Sequence, residues 1–361
     1  MQQDYIMKAL ILAGGRGTRL RPLTYTSAKQ LIPIANKATI QYGIEAIIEA
    51  GITDIGIIVG DTKKDIIDNL GDGSQFGAHF TYIEQDAPRG LAHAVMIAEE
   101  FMDGESFLMY LGDNVVQDGV KNFVHDFKNQ NCNAMVLLNP VPNPSQYGVV
   151  VMKDNHIVQL IEKPKDPPSD LALVGVYLFD QNIFTAVKSI KPSWRNEYEI
   201  TDAIQWLVDQ GLQVSPHIIH NWWKDTGKPE DMLEANRILL EKIRGDIKGD
   251  ICKESKITRS VEIGEGSVIK NSIIRGPAII GRNVHIENAY IGPFTSIGDD
   301  TKIVNAEVEN SIIMEQSNIQ DINTRLDSCL LGKGVQVCSQ VRRPKSIALV
   351  LGDNSTVDLS V

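Results

Sequence analysis

An isoleucine begins almost every six-residue unit in the last third of the chain, and this period constrains the fold more than any other sequence feature. Ile263, Ile280 and Ile297 are 17 residues apart, so three hexads, one of them a residue short, make one repeating coil. A six-residue period cannot sustain an amphipathic helix. It is typical of a parallel β-helix, in which each coil buries its aliphatic corner residues by stacking on the next. The repeat is clear from Ile257 and weakens after Val308.

The part of the chain before the repeat follows a different rhythm, in which short apolar β-type runs alternate with helical patterns. This alternation predicts βαβ units and a mostly parallel sheet. A hairpin is predicted to turn at Asp154 and Asn155, and the last helix ends before "RGDIKGD", the predicted linker. We therefore predict an α/β domain over 7–245 and a β-helix over 246–361, closed by a hairpin tail in "IALVLGDNSTVDL".

Composition excludes several classes of function for these 361 residues. A net charge of -11 and a pI near 5.2 argue against nucleic acid as a partner. No apolar run approaches the roughly 20 residues of a membrane span, and the N-terminus does not resemble a signal peptide. The cysteines lack C-x-x-C spacing, so we expect neither a zinc site nor a disulfide framework, and we predict a reducing cytoplasm. The cysteines are Cys132, Cys252, Cys329 and Cys338.

A cationic glycine loop stands near the start of this acidic chain. Between Lys8 and Ile44 there are six Lys or Arg residues and no Asp or Glu. The loop "GGRGTRLRP" follows a predicted strand, which places it at the carboxyl edge of the sheet, where ligands bind in open α/β folds. It lacks the third glycine of a dinucleotide fingerprint and the Gly-Lys-Ser/Thr of a P-loop. Glycines beside arginine forks predict an anion cradle, since guanidinium groups pair with phosphate oxygens.

Several separated motifs together resemble one family. "LAGGRGTRLRPLT", "AKQLIPI", "YLGDN", "EKP" and "WWKDTG" occur at spacings similar to those of the sugar-1-phosphate nucleotidyltransferases. The chain most resembles the long glucose-1-phosphate thymidylyltransferases, which carry a hexapeptide-repeat tail. The resemblance implies a Rossmann-like nucleotidyltransferase domain followed by a left-handed parallel β-helix. It also implies transfer of a thymidylyl group from dTTP to glucose 1-phosphate, giving dTDP-glucose and pyrophosphate.

The resemblance implies a nucleotide site built on the first loop. The glycines would lie over the triphosphate, Arg19 would contact the departing pyrophosphate, and Lys29 would reach the reacting phosphates. Gln30 and Gln85 would read the pyrimidine edge, and Gly90 would allow close approach of base and ribose. The implied nucleotide-binding residues are Leu12, Gly14, Gly15, Gly17, Thr18, Arg19, Gln30, Gln85, Pro88 and Gly90.

The resemblance also implies a metal site and a sugar-phosphate site. Asp113 and Asp225 would hold Mg²⁺, which prefers one or two carboxylates plus phosphate oxygens and water; they would meet if "YLGDN" and "WWKDTG" end at the same sheet edge. The implied sugar-phosphate residues are Asn114, Tyr147, Gly148, Glu162, Lys163, Gly175 and Arg195. The implied catalytic residues are Arg19, Lys29, Asp113, Lys163 and Asp225.

Taken one at a time, these residues have plainer interpretations. Gly-Asp after a strand and Lys-Asp-Thr-Gly are both good turn sequences. Glu162 and Lys163 suit a solvated surface pair, Gln85 suits an edge strand, and Trp222 and Trp223 suit packing. The histidines, other than His285, are assigned to structural or surface positions: His79, His93, His125, His156, His217 and His220.

Three other functions compete with thymidylyl transfer. A uridylyl- or guanylyltransferase acting on a glucose, mannose or amino-sugar phosphate would share the loop chemistry and differ only in base and sugar contacts. A non-catalytic regulatory protein would be expected to have lost Lys29, Asp113 or Asp225. A hexapeptide-repeat acyltransferase would need a base, and after Ile257 the chain offers only His285. We predict that the β-helix instead serves stability and homo-oligomer assembly.

Overall fold

A computed structural model describes residues 7–339 and Val357, and these residues form two compact units. The first unit comprises 7–16, Ser27–Leu31 and Thr39–Asp225. The second comprises Gly17–Thr26, Ile32–Ala38 and 226–339. The predicted hairpin tail, Val357 apart, lies outside the described residues.

Strands and helices alternate along much of the chain up to Leu240, as the sequence predicts, but the four strands between Ala134 and Phe179 have no α-helix between them. The strands are β1 (Lys8–Leu12), β2 (Pro33–Ile34), β3 (Lys37–Ala38), β4 (Asp54–Val59), β5 (His79–Glu84), β6 (Phe107–Leu111), β7 (Asn114–Val116), β8 (Ala134–Pro140), β9 (Gly148–Lys153), β10 (His156–Glu162), β11 (Leu171–Phe179), β12 (Val214–Ile218) and β13 (Trp223–Asp225). The helices are α1 (Thr39–Glu49), α2 (Lys63–Leu70), α3 (Leu91–Ile97), α4 (Glu99–Met102), α5 (Lys121–Asn129), α6 (Asn182–Ser189), α7 (Ile200–Asp209) and α8 (Pro229–Leu240). None of the helices in the described part of the chain combines the length and apolar character that a membrane crossing needs.

One large sheet organises the first unit, and its two halves differ in strand direction. Along its main path the order is β10-β9-β11-β6-β1-β4-β5, and β8 joins β11 to β12. The strands β6, β1, β4 and β5 run parallel, as predicted. In the other half, β11 runs antiparallel to β6, β8 and β9. The carboxyl ends of β1, β4 and β6 therefore meet at one edge of the sheet.

The hydrophobic core of the first unit lies between the sheet and its helices. The central parallel strands are mostly apolar because helices cover the sheet; in β1, four of five residues are buried. Leu10 and Met109, on the neighbouring strands β1 and β6, and Val136, on β8, are completely buried. Phe107 stacks against Phe184 of α6 with ring centroids 5.7 Å apart. This packing holds the strand ends in fixed positions.

The predicted hairpin at Asp154 and Asn155 is confirmed. Both residues have positive φ, 49° and 62°, as a two-residue type I′ turn between antiparallel strands requires. The turn joins β9 to β10, which pair antiparallel with a register shift between Ile157 and Gln159. Short local sequence is enough to specify this element.

Short parallel strands of the second unit stack into three sheets, which fit the predicted left-handed β-helix. The sheet orders are β14-β17-β20-β23-β26-β29, β15-β18-β21-β24-β27-β30 and β16-β19-β22-β25-β28. The strands are β14 (Asp246–Ile247), β15 (Asp250–Ile251), β16 (Lys256–Thr258), β17 (Val261–Ile263), β18 (Val268–Lys270), β19 (Ile273–Arg275), β20 (Ala278–Ile280), β21 (His285–Glu287), β22 (Tyr290–Ile291), β23 (Thr295–Ile297), β24 (Lys302–Val304), β25 (Glu307–Glu309), β26 (Ile312–Ile313), β27 (Asn318–Gln320), β28 (Leu326–Asp327), β29 (Leu330–Leu331) and β30 (Gln336–Cys338).

The aliphatic corner residues predicted from the hexads stack in register. Ile269, Ile286 and Ile303 pair along one sheet, and each is completely buried. The early coils repeat every 17 residues, as between Asn271 and Asn288. Later coils are a residue shorter or longer, with spacings of 16 and 18. The repeat weakens after Val308 for this reason, while the strands continue.

The β-helix begins earlier than the isoleucine pattern indicates. The segment "RGDIKGD", predicted to be a linker, already contains β14 and the start of β15. Ile247 pairs with Ile263, and Ile251 pairs with Ile269 of the next coil. The prediction of a linker here was wrong because Gly245 and Gly249 supply the corners of a first coil rather than a flexible connection.

Asn236 of α8 connects the early segment 32–38 to the β-helix within the second unit by hydrogen bonds. It is completely buried, and its Oδ1 accepts hydrogen bonds from the Ala35 amide at 2.8 Å and from the Ser296 hydroxyl at 2.6 Å. Its Nδ2 donates to the Phe294 carbonyl at 3.0 Å. Asn36 also donates to the Ile297 carbonyl at 2.7 Å. The early segment 32–38 is thereby packed with a coil that lies far along the chain.

Candidate active site

A cavity of about 220 Å³ opens in the first unit at the carboxyl ends of β1, β4 and β6. This is the edge at which the sequence places an anion-binding loop. Seven of the ten residues predicted to bind the nucleotide line the cavity, together with Lys29 and Asp113. The lining residues are Leu12, Gly14, Gly15, Lys29, Gln30, Ile58, Gln85, Pro88, Gly90, Leu91, Ala94, Leu111, Asp113 and Glu197.

Lys29 forms the cationic wall of the cavity beside the glycine loop. A Cβ placed at Gly15 would lie 3.2 Å from Cε and 3.5 Å from Nζ of Lys29, so the loop backbone approaches the ammonium group closely. The ammonium donates a short hydrogen bond to Oδ2 of Asp113, and both side chains are largely buried. A cation held in a mostly buried site interacts strongly with a phosphate because solvent screens it little.

Asp113 and Asp225 are brought near each other by a small second sheet. From the sequence, the two aspartates would meet if "YLGDN" and "WWKDTG" ended at the same sheet edge, but the strand of "WWKDTG" does not belong to the large sheet. Instead, β7 and β13 pair antiparallel, with Asp225 directly opposite Asn114, the neighbour of Asp113. The difference arises because the chain leaves the large sheet at Leu111 and starts a new strand three residues later.

Two glutamine side chains face the cavity from different elements. Gln30 is 1% exposed, and its Oε1 is buried without a hydrogen-bond partner in the described structure. Gln85 follows β5, and its Oε1 lies 3.4 Å from the position of a Cβ at Gly14. Its Nε2 donates to the Gly90 carbonyl at 3.3 Å. A buried carbonyl oxygen without a partner costs free energy unless a ligand donates to it, so the pair suits a ligand that carries N–H groups.

Gly90 is required where the cavity meets the segment before α7. Its φ is 102°, and a Cβ there would lie 2.4 Å from the Tyr198 carbonyl oxygen. Tyr198 donates its amide to the Arg89 carbonyl at 2.8 Å, and its own carbonyl accepts from the Ala92 amide at 3.0 Å. Only glycine fits this backbone approach. The segment that brings Glu197 to the cavity is thereby fixed against the start of α3.

A hydrogen-bonded chain leads from Asp113 to the aromatic residues of β13. Asn114 Nδ2 donates to Asp113 Oδ1 at 3.3 Å, and Asn114 Oδ1 accepts from Trp223 Nε1 at 2.5 Å. The Trp223 ring packs edge-on against Tyr147 at 5.3 Å. Gly175 has a φ of 83°, and a Cβ there would lie 3.1 Å from Asn114 Nδ2. Asn114 therefore lies next to Asp113 and Gly175, and Trp223 connects it to Tyr147.

Arg195 lies among three carboxylates. Its guanidinium forms an ion pair with Glu199 at 3.1 Å, lies 3.7 Å from Glu162, and makes a short contact with Glu197. Lys163 pairs with Glu162 at 3.2 Å. Burial raises the pKa of Glu199, and the hydroxyl of Ser193, which donates to it at 2.7 Å, offsets part of that rise. A phosphate that reached Arg195 would compete with these carboxylates.

Gly148 brings this carboxylate group next to α7. A Cβ at Gly148 would lie 2.7 Å from Thr201 and 3.2 Å from Oε2 of Glu162. The same Glu162 oxygen accepts from the Thr201 hydroxyl at 3.2 Å. Lys163 donates its amide to the Tyr147 carbonyl at 3.1 Å. The predicted sugar-phosphate residues Tyr147, Gly148, Glu162, Lys163 and Arg195 thus form one cluster.

Three of the predicted nucleotide-binding residues belong to the second unit. Gly17 adopts the left-handed conformation, with φ of 58°, and precedes a short 3-10 helix, Thr18–Leu20. Its carbonyl accepts a hydrogen bond from the Thr24 hydroxyl at 2.7 Å. The nucleotide-binding role of these three residues, Gly17, Thr18 and Arg19, stays a prediction.

Sequence reasoning missed several residues of this region. Glu197 lines the cavity, and Trp223, interpreted as a packing residue, donates to Asn114. His93, interpreted as a structural or surface residue, lies 3.0 Å from the Gln85 amide. The spacing of His93 from Gly90, one turn into a helix that begins at the cavity, was the only local signal for it.

The comparisons with known proteins agree with this geometry. Residues 8–242 match the family described as nucleotidyl transferase. The chain belongs to the nucleotidyl transferase family. A glucose-1-phosphate thymidylyltransferase of Streptomyces antibioticus is 48% identical over 98% of this chain and 99% of that relative.

Two solved structures are similar to the nucleotidyl transferase part. One is a protein of Bacillus anthracis described as a candidate glucose-1-phosphate thymidylyltransferase and solved with sucrose; it is 37% identical, with a TM-score of 0.62 over 67% of this chain and 98% of that one. The other is a UDP-glucose pyrophosphorylase in complex with UDP-glucose, 28% identical, with a TM-score of 0.60 over 66% of this chain and 99% of that one.

Nucleotidyl transferases of this family generally use a divalent metal ion. The donor chemistry of the cavity fits one, because Asp113 lines it and Asp225 lies opposite the next residue across β7 and β13. Within residues 7–339, no group of three or more His, Cys, Asp or Glu side chains could hold a metal. Two carboxylates suit a hard cation that takes its other ligands from substrate phosphates and water.

Proposed function

We propose that this enzyme transfers a thymidylyl group from dTTP to glucose 1-phosphate, giving dTDP-glucose and pyrophosphate. The observation that carries the proposal is the cavity, which is lined by two carboxamides, by the Lys29–Asp113 ion pair and by the glycine loop. The close similarity to a thymidylyltransferase over nearly the whole chain supports the same reaction.

In this reaction a phosphate oxygen of glucose 1-phosphate attacks the α-phosphorus of dTTP in line with the departing pyrophosphate. Two anions must meet, so the site has to neutralise charge and align the reactants. A phosphate monoester is already a competent nucleophile and needs little deprotonation, and no histidine lines the cavity among the described residues. Lys29 supplies positive charge at the phosphates, and Gly14 and Gly15 let the loop backbone approach them.

We propose Mg²⁺ as the metal ion, held by Asp113 and Asp225. Bound there, it would neutralise charge on the phosphates. Asn114 fixes the orientation of the Asp113 carboxylate by donating to Oδ1, while Trp223 in turn holds Asn114. The residues of the chain thus preorganise one carboxylate before any ligand is present.

For glucose 1-phosphate we propose the cluster around Glu162. Its carboxylate is an acceptor for sugar hydroxyls, and Lys163 and Arg195 supply positive charge for the phosphate. Tyr147 lies in the same cluster, and Trp223 links Tyr147 to Asn114. Arg195 contacts both Glu162 of this cluster and Glu197, which lines the nucleotide cavity. The proposed sugar-phosphate cluster therefore adjoins the proposed nucleotide site, as a reaction between the two substrates requires.

Uridylyl transfer is the alternative, since one similar solved structure is a UDP-glucose pyrophosphorylase. Pyrophosphate release, measured across a panel of dTTP, UTP, GTP and ATP with glucose, mannose and amino-sugar 1-phosphates, separates the candidates. The proposal expects the highest kcat/KM for dTTP with glucose 1-phosphate. A clear preference for UTP, GTP or ATP would overturn it.

We further propose that residues 7–245 act as the catalytic domain and that 246–361 serve assembly and stability. The flat faces of the β-helix suit packing between copies of the chain, and closed homo-oligomers are the common result of such packing. Analytical ultracentrifugation of the full chain tests this, and a monomer at micromolar concentration would contradict it. The cytoplasm stays the predicted location.

A further inference from the structure

The Gln85 carboxamide is held by two acceptors whose chemistry fixes its orientation. Its Nε2 lies 3.3 Å from the Gly90 carbonyl oxygen and 3.0 Å from Nδ1 of His93. A carbonyl oxygen can only accept, so the atom facing it must be the amide nitrogen. That nitrogen has a second hydrogen, and His93 Nδ1 is placed to accept it. The His93 imidazole must then be neutral, with its own proton on Nε2.

This orientation leaves carbonyl oxygens facing the cavity. Oε1 of Gln85 lies 3.4 Å from the position of a Cβ at Gly14, and Oε1 of Gln30 is buried without a hydrogen-bond partner in the described structure. Thymine and uracil carry an N3–H donor between two carbonyl groups. Cytosine has an acceptor at N3 and an amino group at C4, so it presents a different pattern at the same edge.

We propose that His93 is a positioning residue that holds the Gln85 carboxamide with its oxygen toward the base, so that the site selects bases with an imide N–H over cytosine. The inference rests on the proposed function, because it takes Gln85 to be a base-reading residue. If the carboxamide were free to turn, it would offer a donor as readily as an acceptor, and Gln85 would discriminate little between the two kinds of pyrimidine.

Protonation of His93 would remove one of these two acceptors. With Nδ1 carrying a hydrogen, the imidazole could no longer accept from Nε2, and only the Gly90 carbonyl at 3.3 Å would still hold the carboxamide nitrogen, so the carboxamide oxygen would be held less firmly toward the base. Burial and then Arg89 lower the pKa of His93 from its ordinary value of 6.5, while Asp86 opposes them. The Tyr198 ring packs 6.5 Å from the imidazole. At neutral pH His93 is therefore uncharged, and the KM for dTTP should rise as the pH falls through the pKa of His93.

Steady-state kinetics of the full-length protein with dTTP, dUTP and dCTP test the inference between about pH 5 and pH 8. dUTP and dCTP are the sharpest pair, because they differ only at the edge that Gln85 is proposed to read. His93→Phe keeps an aromatic ring against Tyr198 and removes the acceptor. His93→Gln restores an acceptor that does not titrate. His79→Phe is the matched control, since His79 is exposed at the start of β5.

In His93→Phe, the preference for dUTP over dCTP in kcat/KM should fall about tenfold, the effect of one hydrogen bond. The low-pH rise in the KM for dTTP should disappear. His93→Gln should recover the preference and show no pH-dependent rise, while His79→Phe should behave like the wild type. A rise in relative dCTP use is an outcome that simple damage to the fold would not give.

An unchanged dUTP-to-dCTP preference in both His93 variants, with the low-pH rise retained, would overturn the role of His93. Failure of the proposed function would give a different result. A wild-type enzyme that uses UTP and dUTP but not dTTP would refute thymidylyl transfer, and the dUTP-to-dCTP comparison would still test the role of His93. A wild-type enzyme that prefers purine nucleotides would refute both.

Discussion

At the scale of single residues, the site depends on side chains whose orientation is set by neighbours. Asp113 accepts from Lys29 and Asn114, and Asn114 is held by Trp223. Removing the charge of a carboxylate while keeping its shape therefore tests chemistry more than packing.

We expect Asp113→Asn and Asp225→Asn each to raise the barrier to turnover by about 3 kcal/mol, or roughly 100-fold in kcat, because each removes one charge from the proposed Mg²⁺ site. The measurement is kcat at saturating substrates as a function of Mg²⁺ concentration. Asp103→Asn is the control, since Asp103 is exposed and its left-handed backbone also suits asparagine. Near-normal Mg²⁺-dependent turnover in both site variants would refute the assignment.

The proposed division between the two substrates is tested at Lys163. Lys163→Ala should raise the KM for glucose 1-phosphate several-fold more than the KM for dTTP, because Lys163 pairs with Glu162 while Lys29 lies in the nucleotide cavity. Lys165→Ala, at an exposed position nearby, is the matched control. Equal increases for the two substrates would show that Lys163 does not serve the sugar phosphate alone.

At the scale of elements, the β-helix is stabilised by two ladders of different chemistry. Its interior stacks isoleucines from coil to coil. At one corner, Asn271, Asn288 and Asn305 adopt positive φ, and their side chains donate to one another along the coils. The aliphatic ladder removes apolar surface from water, and the asparagine ladder allows a left-handed corner at low strain.

Ile286→Ala should destabilise the β-helix by about 2–5 kcal/mol, the range for deleting a large buried aliphatic side chain. Ile286 is completely buried between Ile269 and Ile303. Thermal unfolding of the full chain measures the change. Lys302→Ala, exposed on the neighbouring strand, should shift stability by less than about 0.5 kcal/mol. A similar small shift for Ile286→Ala would show that the stacking is not close-packed.

At the scale of the whole molecule, chain order and spatial grouping differ. Segments 17–26 and 32–38, close to the N-terminus, group with the β-helix in one compact unit. Asn236 makes the connection through the Ala35 amide, the Ser296 hydroxyl and the Phe294 carbonyl. The β-helix therefore contributes packing to an early segment as well as to itself.

Asn236→Ala should leave these three partners, of which Ser296 is buried, without their hydrogen bonds to Asn236 and cost about 2–3 kcal/mol. Because the Ala35 amide loses its acceptor, its hydrogen exchange should speed up, together with that of the 32–38 segment. Hydrogen exchange followed by mass spectrometry or NMR gives the readout. Glu241→Ala, exposed just beyond the end of α8, is the control. Unchanged exchange at Ala35 would mean that Asn236 does not hold the segment.

The sequence by itself determined the features that depend on local or periodic patterns. Isoleucines every six residues specified the β-helix, since only stacked coils bury them all, and Asp154-Asn155 specified a type I′ hairpin. Separated motifs specified the family and most residues that line the cavity. Each of these signals is a short pattern that constrains the backbone directly.

Only the tertiary structure decided which side chains meet. The pairing of β7 with β13 brings Asp225 opposite Asn114, although the two are far apart in the chain. The contact between His93 and Gln85 requires α3 to start at the edge where β5 ends, and a histidine in a helix gives no sign of that neighbour. The packing of segment 32–38 with the coil at Phe294 likewise has no local pattern. Long-range contacts depend on how whole elements pack, and packing is the sum of many weak interactions that no short stretch of sequence contains.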